Sequence, residues 1–428
     1  MTGSRGNARW DGQRRVVLTG LGLVTPIGND TETTWSALLA GTSGAAPVTL
    51  FDPFGQTVRF ACEVKGFDAE EYMDRKEARR ADRFLQFAMA TTHQAVEESG
   101  IADALTGMDP GRVGVIVGSG IGGLTTLEEQ HIKMLDKGPA RVSPFFIPMF
   151  IADMAAGMIS MKYGARGPNY ATVSACSSSA HAVGLAFRSI RTGEADVMIA
   201  GGTEATITPL CMAGFASMKA LSTRNDAPER ASRPFDKHRD GFVLGEGSGM
   251  LVLESLEHAR ARGATILAEL IGFGQSADAY HMTAPAPEGA GAQLAMREAL
   301  NDAAIQPTQV DYINAHGTST PANDATETAA IKTVFGDHAY DMVVGSTKSM
   351  IGHTLGASGA IEAAIAALVC RCDVIPPTIN FEEQDPECDL DYAHGGPVER
   401  PVRVALSNSF GFGGHNVTLV LREWAENR

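Results

Sequence analysis

A cysteine lies in a small-residue segment where its side chain could do covalent chemistry. Cys176 stands in Ser-Ala-Cys-Ser-Ser-Ser, directly before a stretch whose apolar residues have helical spacing. Because a helix N-terminus stabilises an anion, this position predicts a lowered pKa for the Cys176 thiol and a nucleophilic thiolate. Taken alone, a cysteine among small residues is more often a buried structural residue. Its role therefore depends on the residues that the fold brings to it.

Two histidines and a lysine are the candidate partners of this cysteine. His316 stands in Ala-His-Gly-Thr-Ser-Thr, and a second segment runs from Lys348 to His353 as Lys-Ser-Met-Ile-Gly-His. A single histidine would more often be a satisfied core residue, but this group is hard to attribute to packing. We predict that it faces Cys176 in one site. The helix expected after His353 carries Glu362, which we place within reach of Lys348.

Several glycine clusters require separate interpretations. Residues 408–414, Asn-Ser-Phe-Gly-Phe-Gly-Gly, precede the last predicted strand, and their glycines allow backbone N–H groups to approach a ligand oxygen closely. Residues 20–28 and 118–123 suggest a dinucleotide site, but neither combines strand, glycine pattern and helix with an acidic residue about 20 positions on. We interpret these two as tight turns and predict no bound cofactor.

Strand-like apolar runs bounded by glycine alternate with helical periodicities along the chain, which indicates an α/β architecture with largely buried sheets. The strand-like runs span residues 16–22, 113–118, 197–202, 250–253, 267–274 and 417–421.

The second half of the chain repeats the pattern of the first. Four pairs of segments correspond in the same order, and the cysteine segment corresponds to the one around His353. Four matches in order favour a duplication over chance likeness among glycine-rich loops. Two halves related by pseudo-symmetry would bring equivalent loops to one shared site. The pairs are 17–22 with 269–274, 114–120 with 312–318, 174–179 with 351–359, and 249–254 with 416–422.

Composition excludes several function classes. The chain has 35 basic and 50 acidic residues, a formal charge of −15, which argues against a nucleic-acid binder. Its apolar stretches are too short to span a bilayer, so no membrane insertion is expected. The six cysteines are too scattered for a disulfide framework or a metal site, so we expect free thiols, no metal and a cytoplasmic location. Residues 1–14 are polar, with no apolar signal region, and predict a disordered arm.

Further motifs carry a resemblance to the elongating 3-oxoacyl-[acyl-carrier-protein] synthases of the thiolase superfamily, over about residues 15–423. The cysteine and histidine motifs also belong to this resemblance. It implies a five-layered αβαβα thiolase-like fold, with an N-terminal half at 15–266 and a C-terminal half at 267–428. It also implies a homodimer that condenses malonyl-carrier protein with an acyl group in fatty-acid synthesis. The further motifs are Leu-Ser-Thr-Arg-Asn-Asp at 221–226, Arg-Pro-Phe-Asp at 233–236, Arg-Asp-Gly-Phe-Val-Leu-Gly-Glu-Gly at 239–247 and Pro-Pro-Thr-Ile-Asn at 376–380.

The resemblance also implies a role for each candidate residue. Cys176 would accept the acyl chain as a thioester, and N–H groups of Cys176 and Phe412 would stabilise the oxyanion. Neutral His316 and His353 would hydrogen-bond the malonyl thioester, and Lys348, paired with Glu362, would orient the site. The remaining assignments are Thr318 and Thr320 for the pantetheine arm, Phe412 as a gate, and Ile121, Phe146 and Phe215 for the acyl pocket.

A local basic cluster is the predicted docking site for the acyl carrier protein. It lies in a short segment expected to be helical, and Lys219 joins it by family resemblance. The ordinary alternative is a solvated helix face. The cluster contains Arg75, Lys76, Arg79, Arg80 and Arg83.

Some positions depart from the family pattern and leave the pathway open between fatty-acid and polyketide synthesis. Ser177 and Ser178 follow the nucleophile as in polyketide ketosynthases, and His415 and Asn323 replace more usual residues. A degradative thiolase would need a second cysteine near the last glycine loop, and a chain-initiating synthase would carry Asn at position 353. A non-catalytic chain-length partner would lack the cysteine, and a pure binding module would need none of these groups.

Overall fold

Strands and helices alternate through residues 14–426, the part of the chain that this computed structural model describes. The predicted arm, residues 1–14, lies outside these residues except for Arg14, which forms an ion pair with Asp196 at 2.7 Å. The strands are β1 (Val16–Val24), β2 (Ala46–Pro47), β3 (Phe60–Ala61), β4 (Val113–Gly118), β5 (Asn169–Thr172), β6 (Val197–Glu204), β7 (Gly247–Ser255), β8 (Ala268–Ala277), β9 (Tyr312–Asn314), β10 (Val343–Gly345), β11 (Val374–Ile375), β12 (Val398–Glu399), β13 (Val404–Gly411) and β14 (His415–Glu423). The α-helices are α1 (Thr31–Leu39), α2 (Arg75–Ala78), α3 (Arg83–Ser99), α4 (Ala102–Leu105), α5 (Leu124–Lys137), α6 (Phe146–Phe150), α7 (Met154–Tyr163), α8 (Ser178–Arg191), α9 (Pro209–Ser217), α10 (Leu256–Ala261), α11 (Ala290–Ala303), α12 (Pro321–Phe335), α13 (Lys348–Ile351) and α14 (Ser358–Cys372).

The strand order shows the repeat that the sequence predicts. Within the described residues, ten strands follow the order β10-β9-β13-β14-β8-β1-β7-β6-β4-β5, which reads as two equivalent sets of five meeting at β8 and β1. In each set the two outermost pairings are parallel and the two innermost are antiparallel. The fold is therefore an α/β structure of two pseudo-symmetric halves. The boundary at residues 266 and 267 stays a prediction.

Helices form the other layers of this αβαβα arrangement. α8 and α14 pack against each other and against strands of both halves, so they form the central layer. α3 and α7 cover the outer face of the first set of strands, and α11 covers that of the second. Because α14 is surrounded by protein, its sequence is apolar on nearly every side, with small alanines that allow close packing.

The prediction that the apolar stretches are too short to span a bilayer is wrong for one helical stretch of the described residues, which is long and apolar enough to cross a membrane. It spans Leu355–Cys372, and 89% of it is buried inside the protein. A central helix of a layered fold passes the same length and composition test. This stretch is therefore a core element of the fold.

The site residues follow the carboxyl ends of parallel strands. β4 and β6 are parallel, as are β9 and β10, so within each pair the exit loops leave the same edge. The loop after β9 carries His316, and α13, directly after β10, begins at Lys348. The duplication brings the corresponding loops of the first half to the same place.

Candidate active site

A strained turn presents Cys176 at the start of the central helix α8. Ala175 has a left-handed φ of 51°, a conformation that costs energy for a residue with a Cβ and is typical of functional turns. The Ser177 hydroxyl donates to the carbonyls of Ser409 and His415 at 2.9 and 2.8 Å, which ties this turn to the glycine-rich hairpin between β13 and β14. The cysteine is thus fixed between two loops.

The sequence-based prediction of a lowered thiol pKa is wrong for this site. Burial raises the pKa of Cys176 to about 12, and the opposing effects of Lys348 and of the Phe412 backbone N–H are smaller. Desolvation disfavours the thiolate more strongly than the helix N-terminus favours it. The resting Cys176 thiol is therefore neutral, and it would need a base beside it to act as a nucleophile.

His353 is in position to be that base. Its Nε2 atom lies 3.0 Å from the Sγ atom of Cys176, and its ring is 5.3 Å from the ring of His316, centroid to centroid. Burial, with the nearby Lys348 ammonium, holds the pKa of each histidine well below its ordinary value. Both imidazoles are therefore uncharged, as predicted, and each offers one acceptor and one N–H donor.

Lys348 and Glu362 form a buried ion pair behind the histidines. The ammonium Nζ donates to Oε1 of Glu362, and both side chains are almost fully buried. Burial raises the pKa of Glu362 to about 7, while Lys348 limits the rise. The sequence thus placed Glu362 correctly beside Lys348.

Two groups that hold the histidines were not predicted from the sequence. The Ser358 hydroxyl lies 3.0 Å from Nδ1 of His353 and 3.0 Å from the Thr354 hydroxyl. The Glu327 carboxylate accepts from the backbone N–H groups of His316 and Gly317, each at 2.8 Å. Only their placement in small-residue or helical segments near the motifs signalled them.

These groups open into a cavity of about 550 Å³. The predicted residues on its wall are Cys176, His316, His353, Thr318, Thr320, Ile121, Phe215, Lys219 and Phe412. Phe146, which was also predicted to line the pocket, lies outside the wall of the single chain. It belongs to the short helix α6, which packs on α5, and its ring stacks on that of Phe150 at 5.8 Å. The departing residue Asn323 lines the cavity as well.

The predicted gate lies over the cysteine. The N–H of Phe412 is directed at the Cys176 sulfur, and the next residue, Gly413, donates to the carbonyl of Met282 at 2.7 Å. Gly413 and Gly414 have φ values of 87° and 73°, which favour glycine. Movement of this segment stays a prediction.

Among residues 14–426, Cys176, His316 and His353 form a group that could hold a metal ion. Ligand atoms of Cys176, His316 and His353 all lie within 4.8 Å of one another. One thiolate and two imidazoles are a donor set that zinc accepts. That the site works without a metal stays a prediction.

The basic cluster takes up a surface position, with one exception. Arg75, Lys76, Arg79 and Arg80 are exposed on and after α2, and the guanidinium carbon of Arg80 lies 4.2 Å from the centroid of the Phe145 ring. Arg83, however, turns inward and binds the buried Glu246 through both of its Nε and Nη2 atoms. Arg83 is therefore a structural residue and does not belong to the exposed cluster, because the buried Glu246 carboxylate needs a positively charged partner.

Comparison with known proteins agrees with this geometry. The family model for the beta-ketoacyl synthase N-terminal domain matches residues 13–259, and that for the C-terminal domain matches residues 267–382. A protein named 3-oxoacyl-[acyl-carrier-protein] synthase 2 from Synechocystis is 55% identical over 412 residues, 96% of this chain and 99% of the relative. Its namesake from Coxiella burnetii is 54% identical over 409 residues, 96% of this chain and 98% of the relative.

Solved structures share the whole fold. A beta-ketoacyl synthase from Burkholderia phymatum has a TM-score of 0.89 at 36% identity, covering 96% of this chain and 100% of its own. A type II polyketide ketosynthase, solved with its acyl-carrier protein and bound to a hexaketide, has a TM-score of 0.89 at 35% identity, again covering 96% and 100%. With the cysteine, the two uncharged histidines and the αβαβα layers in place, the chain belongs to the beta-ketoacyl synthase family.

Proposed function

We propose that this chain is an acyltransferase that elongates acyl chains in fatty-acid synthesis. It joins a malonyl unit held on acyl carrier protein to an acyl group held on Cys176, with loss of CO2. The observation that carries this function is the contact between the Cys176 sulfur and an uncharged His353, with His316 beside it, at the wall of one cavity. A pure binding module has no need of such a group.

Acyl transfer is the first half-reaction. The Cys176 thiol passes its proton to Nε2 of His353 as the sulfur attacks the acyl thioester. N–H groups of Cys176 and Phe412, both directed at the sulfur, stabilise the oxyanion that forms on the acyl carbonyl. The bond to the carrier sulfur then breaks, and the proton on His353 passes to that leaving thiolate. The site is again uncharged, and the acyl chain is a thioester on Cys176.

Decarboxylation and condensation follow. Thr318 and Thr320, whose hydroxyls lie 2.9 Å apart on the cavity wall, hold the pantetheine arm of the malonyl substrate. His316 and His353 each donate an N–H to the malonyl thioester oxygen, so that CO2 leaves its electron pair in an enolate. The enolate carbon attacks the acyl carbonyl, the carbon–carbon bond forms, and the Cys176 thiolate is expelled and takes up a proton from solvent.

His353 must accept in the first half-reaction and donate in the second. Its Nδ1 contact with the Ser358 hydroxyl makes this possible, because a hydroxyl can accept from Nδ1–H or donate to bare Nδ1. Burial, and after it the positive charge of Lys348, which Glu362 holds in place, lowers the pKa of both histidines and keeps them uncharged. An imidazolium could not take the thiol proton.

The acyl carrier protein docks through the exposed basic residues around α2, with Lys219 at the mouth of the cavity. Carrier binding is supported by the polyketide ketosynthase structure, which contains its acyl-carrier protein. Because the chain carries a net charge of −15, a local basic cluster is needed to attract an acidic partner.

A second copy of the chain binds at the open edge of the sheet. In the described residues β5 pairs with β4 and has no strand on its outer side, and an exposed sheet edge invites pairing. Exposed apolar side chains lie directly after β5 and on α7, which packs against it, and on α6 and α5, which continue from α7, an arrangement that monomers avoid. These side chains are Ile132 (58% exposed), Leu135 (69%), Ile147 (55%), Met161 (73%) and Val173 (64%). Charging this surface with Met161→Asp and Val173→Asp should yield monomers in light scattering.

Fatty-acid synthesis is favoured over a polyketide pathway. The 3-oxoacyl-[acyl-carrier-protein] synthases from Synechocystis and Staphylococcus aureus are 55% and 51% identical to this chain, whereas the type II polyketide ketosynthase structure is 35% identical. The cysteines of the described residues are all free, which fits the reducing cytoplasm.

One reconstitution tests this function. The enzyme is incubated with malonyl-carrier protein and acyl-carrier proteins of several chain lengths, and products are identified by intact-protein mass spectrometry. We expect saturated acyl chains to be extended by one two-carbon unit as 3-oxoacyl-carrier protein, equally well with and without a metal chelator. Failure to extend any acyl chain would contradict the function, and loss of activity with the chelator would contradict the metal-free site.

A further inference from the structure

A buried carboxylate outside the described triad joins two segments that border the cavity. Glu204, the last residue of β6, is completely buried. Its Oε2 atom accepts from the backbone N–H groups of Gly120 at 2.7 Å and Gly356 at 3.0 Å. Its Oε1 atom accepts from the Ser119 hydroxyl at 3.1 Å and the Ile121 N–H at 3.2 Å. One side chain thus satisfies four donors from two distant parts of the chain.

The two segments approach each other more closely than side chains would allow. A Cβ at Gly356 would lie 2.2 Å from the Gly120 nitrogen and 2.5 Å from Oε2 of Glu204. A Cβ at Gly120 would lie 2.8 Å from the same oxygen. Both positions therefore require glycine, and the carboxylate fits only because both are glycine.

Each segment contributes to the wall that surrounds the nucleophile. Gly120 and Ile121 line the cavity from the first half, and Leu355 lines it from the second half, next to Gly356. Glu204 lies behind this wall. A shift of either segment would therefore change the space available to an acyl chain on Cys176.

The chemistry of the four donors explains why a carboxylate stands here. All four are uncharged, so the group is not an ion pair, and burial raises the pKa of Glu204 to about 7 against the effect of these donors. An apolar side chain at position 204 would be enough if the residue only had to fill space. Only an acceptor with lone pairs on both oxygens can satisfy four converging donors.

We propose that Glu204 is a positioning residue for acyl transfer, which fixes the loop of residues 119–121 against residues 355–356 and so sets the shape of the acyl pocket beside Cys176. The proposal rests on the proposed function. It assigns to Glu204 an effect on which acyl chains are accepted, and no part in malonyl decarboxylation.

Glu204→Gln tests this role with almost no change in volume. An amide has one acceptor oxygen, and its NH2 group cannot accept from an N–H. The variant can therefore keep the hydrogen bonds from the Gly120 and Gly356 N–H groups, and it loses the one from the Ile121 N–H. We expect KM for long acyl-carrier proteins to rise about tenfold relative to short ones, the effect of one lost charge-assisted hydrogen bond. Release of CO2 from malonyl-carrier protein should change less than twofold.

Two further variants keep the test decisive. Glu269→Gln alters a buried carboxylate on β8, away from the cavity, that binds Arg15 and Arg422. This variant should have a lower melting temperature and an unchanged chain-length preference. If Glu204→Gln does not fold, Ser119→Ala removes one donor to Glu204, together with the acceptor of the Gly122 N–H in the same loop, and should move the preference in the same direction by about twofold.

The proposal would be overturned if folded Glu204→Gln had the wild-type ratio of KM for long acyl-carrier proteins to KM for short ones. If Glu204→Gln does not fold, an unchanged ratio in Ser119→Ala would overturn it. An equal loss on all chain lengths, or the same change of preference in Glu269→Gln, would also overturn it, since general destabilisation would then suffice. Failure of the wild-type enzyme to condense would instead contradict the proposed function.

Discussion

The two halves of the fold carry the same turn with different chemistry. In the first half, Ala175 has a left-handed φ of 51°, and Cys176 follows it, two residues before α8. In the second half, Leu355 has a left-handed φ of 48°, and Gly356 follows it, two residues before α14. The position that carries the nucleophile in one half is a bare backbone N–H in the other, so a duplicated strained turn has been used once for bond making and once for support.

The loops that leave the parallel strands show the same division. After β4, backbone N–H groups of Gly120 and Ile121 bind the Glu204 carboxylate, and after β9 those of His316 and Gly317 bind Glu327. Each half therefore holds its exit loop with a buried carboxylate. The first loop shapes the acyl pocket and the second presents a histidine, which predicts that damage to each half affects a different half-reaction.

Removal of the nucleophile should have the largest effect. Cys176→Ala removes the only atom that can hold the acyl chain, so intact-protein mass spectrometry should detect no acylated enzyme and condensation should stop. The histidines remain, and release of radiolabelled CO2 from malonyl-carrier protein should therefore persist. Detection of an acylated Cys176→Ala enzyme would show that another residue is the nucleophile.

The two histidines should differ from each other. His316→Ala should lower CO2 release by about 10²–10³, the usual cost of one oxyanion donor, and leave acylation of Cys176 close to the wild-type rate. His353→Ala should lower both, because His353 also contacts the sulfur. Because residues that act as a unit are not additive, the double variant should cost little more than either single change in CO2 release. Equal acylation rates in His353→Ala and wild type would contradict the assignment of His353 as base.

The grouping of Cys176 with the two histidines and the repeat could be predicted from the sequence because their signals are local. Cys176, His316 and His353 each stand in a distinctive small-residue motif, and the glycine-bounded strands recur in the same order in both halves. Both the motifs and their order can be read along the chain without the three-dimensional structure. The alternating strand and helix periodicities predict the α/β class, and the family resemblance adds the five-layered αβαβα arrangement.

The rest depends on three-dimensional surroundings that no motif encodes. The sequence predicts a lowered pKa for the Cys176 thiol, whereas burial raises it. The helix N-terminus can be recognised in the sequence, but the complete burial of the thiol cannot. Glu204 and Glu327 accept backbone N–H groups, which carry no sequence signal. Arg83 resembles its basic neighbours in sequence, but the fold turns it toward Glu246.

The support of His316 by Glu327 offers an intermediate effect. In Glu327→Gln the amide can accept from one of the two backbone N–H groups but not from both, so His316 loses part of its positioning. We expect CO2 release to fall about tenfold, with acylation and chain-length preference unchanged. This is the reverse of the pattern expected for Glu204→Gln. If Glu204→Gln and Glu327→Gln changed CO2 release and chain-length preference in the same way, the two halves would not serve different half-reactions.

A smaller effect is expected at the docking surface, which belongs to neither loop. Arg79→Glu with Arg80→Glu should raise KM for carrier-bound substrate about tenfold, with little salt dependence remaining, because charge steering is lost. Substrates carried on coenzyme A should be nearly unaffected. The matched control, Arg297→Glu with Arg371→Glu, makes the same charge change on exposed residues of α11 and α14. Equal losses on both substrate types would indicate misfolding and contradict docking.

The smallest effect should be that of pH on acyl transfer. The thiol of Cys176 has a pKa of about 12, and that of His353 lies well below its ordinary value, so neither group changes charge between pH 7 and pH 8.5. Acylation by an acyl-coenzyme A should therefore vary less than about twofold over this range, since the base is present throughout. Alkylation by iodoacetamide depends on the thiolate fraction alone and should rise about tenfold per pH unit, because that fraction grows with pH below the pKa. A flat alkylation profile would mean that the thiolate is already formed, as the helix N-terminus alone predicts, and would reverse the balance between burial and helix dipole at this site.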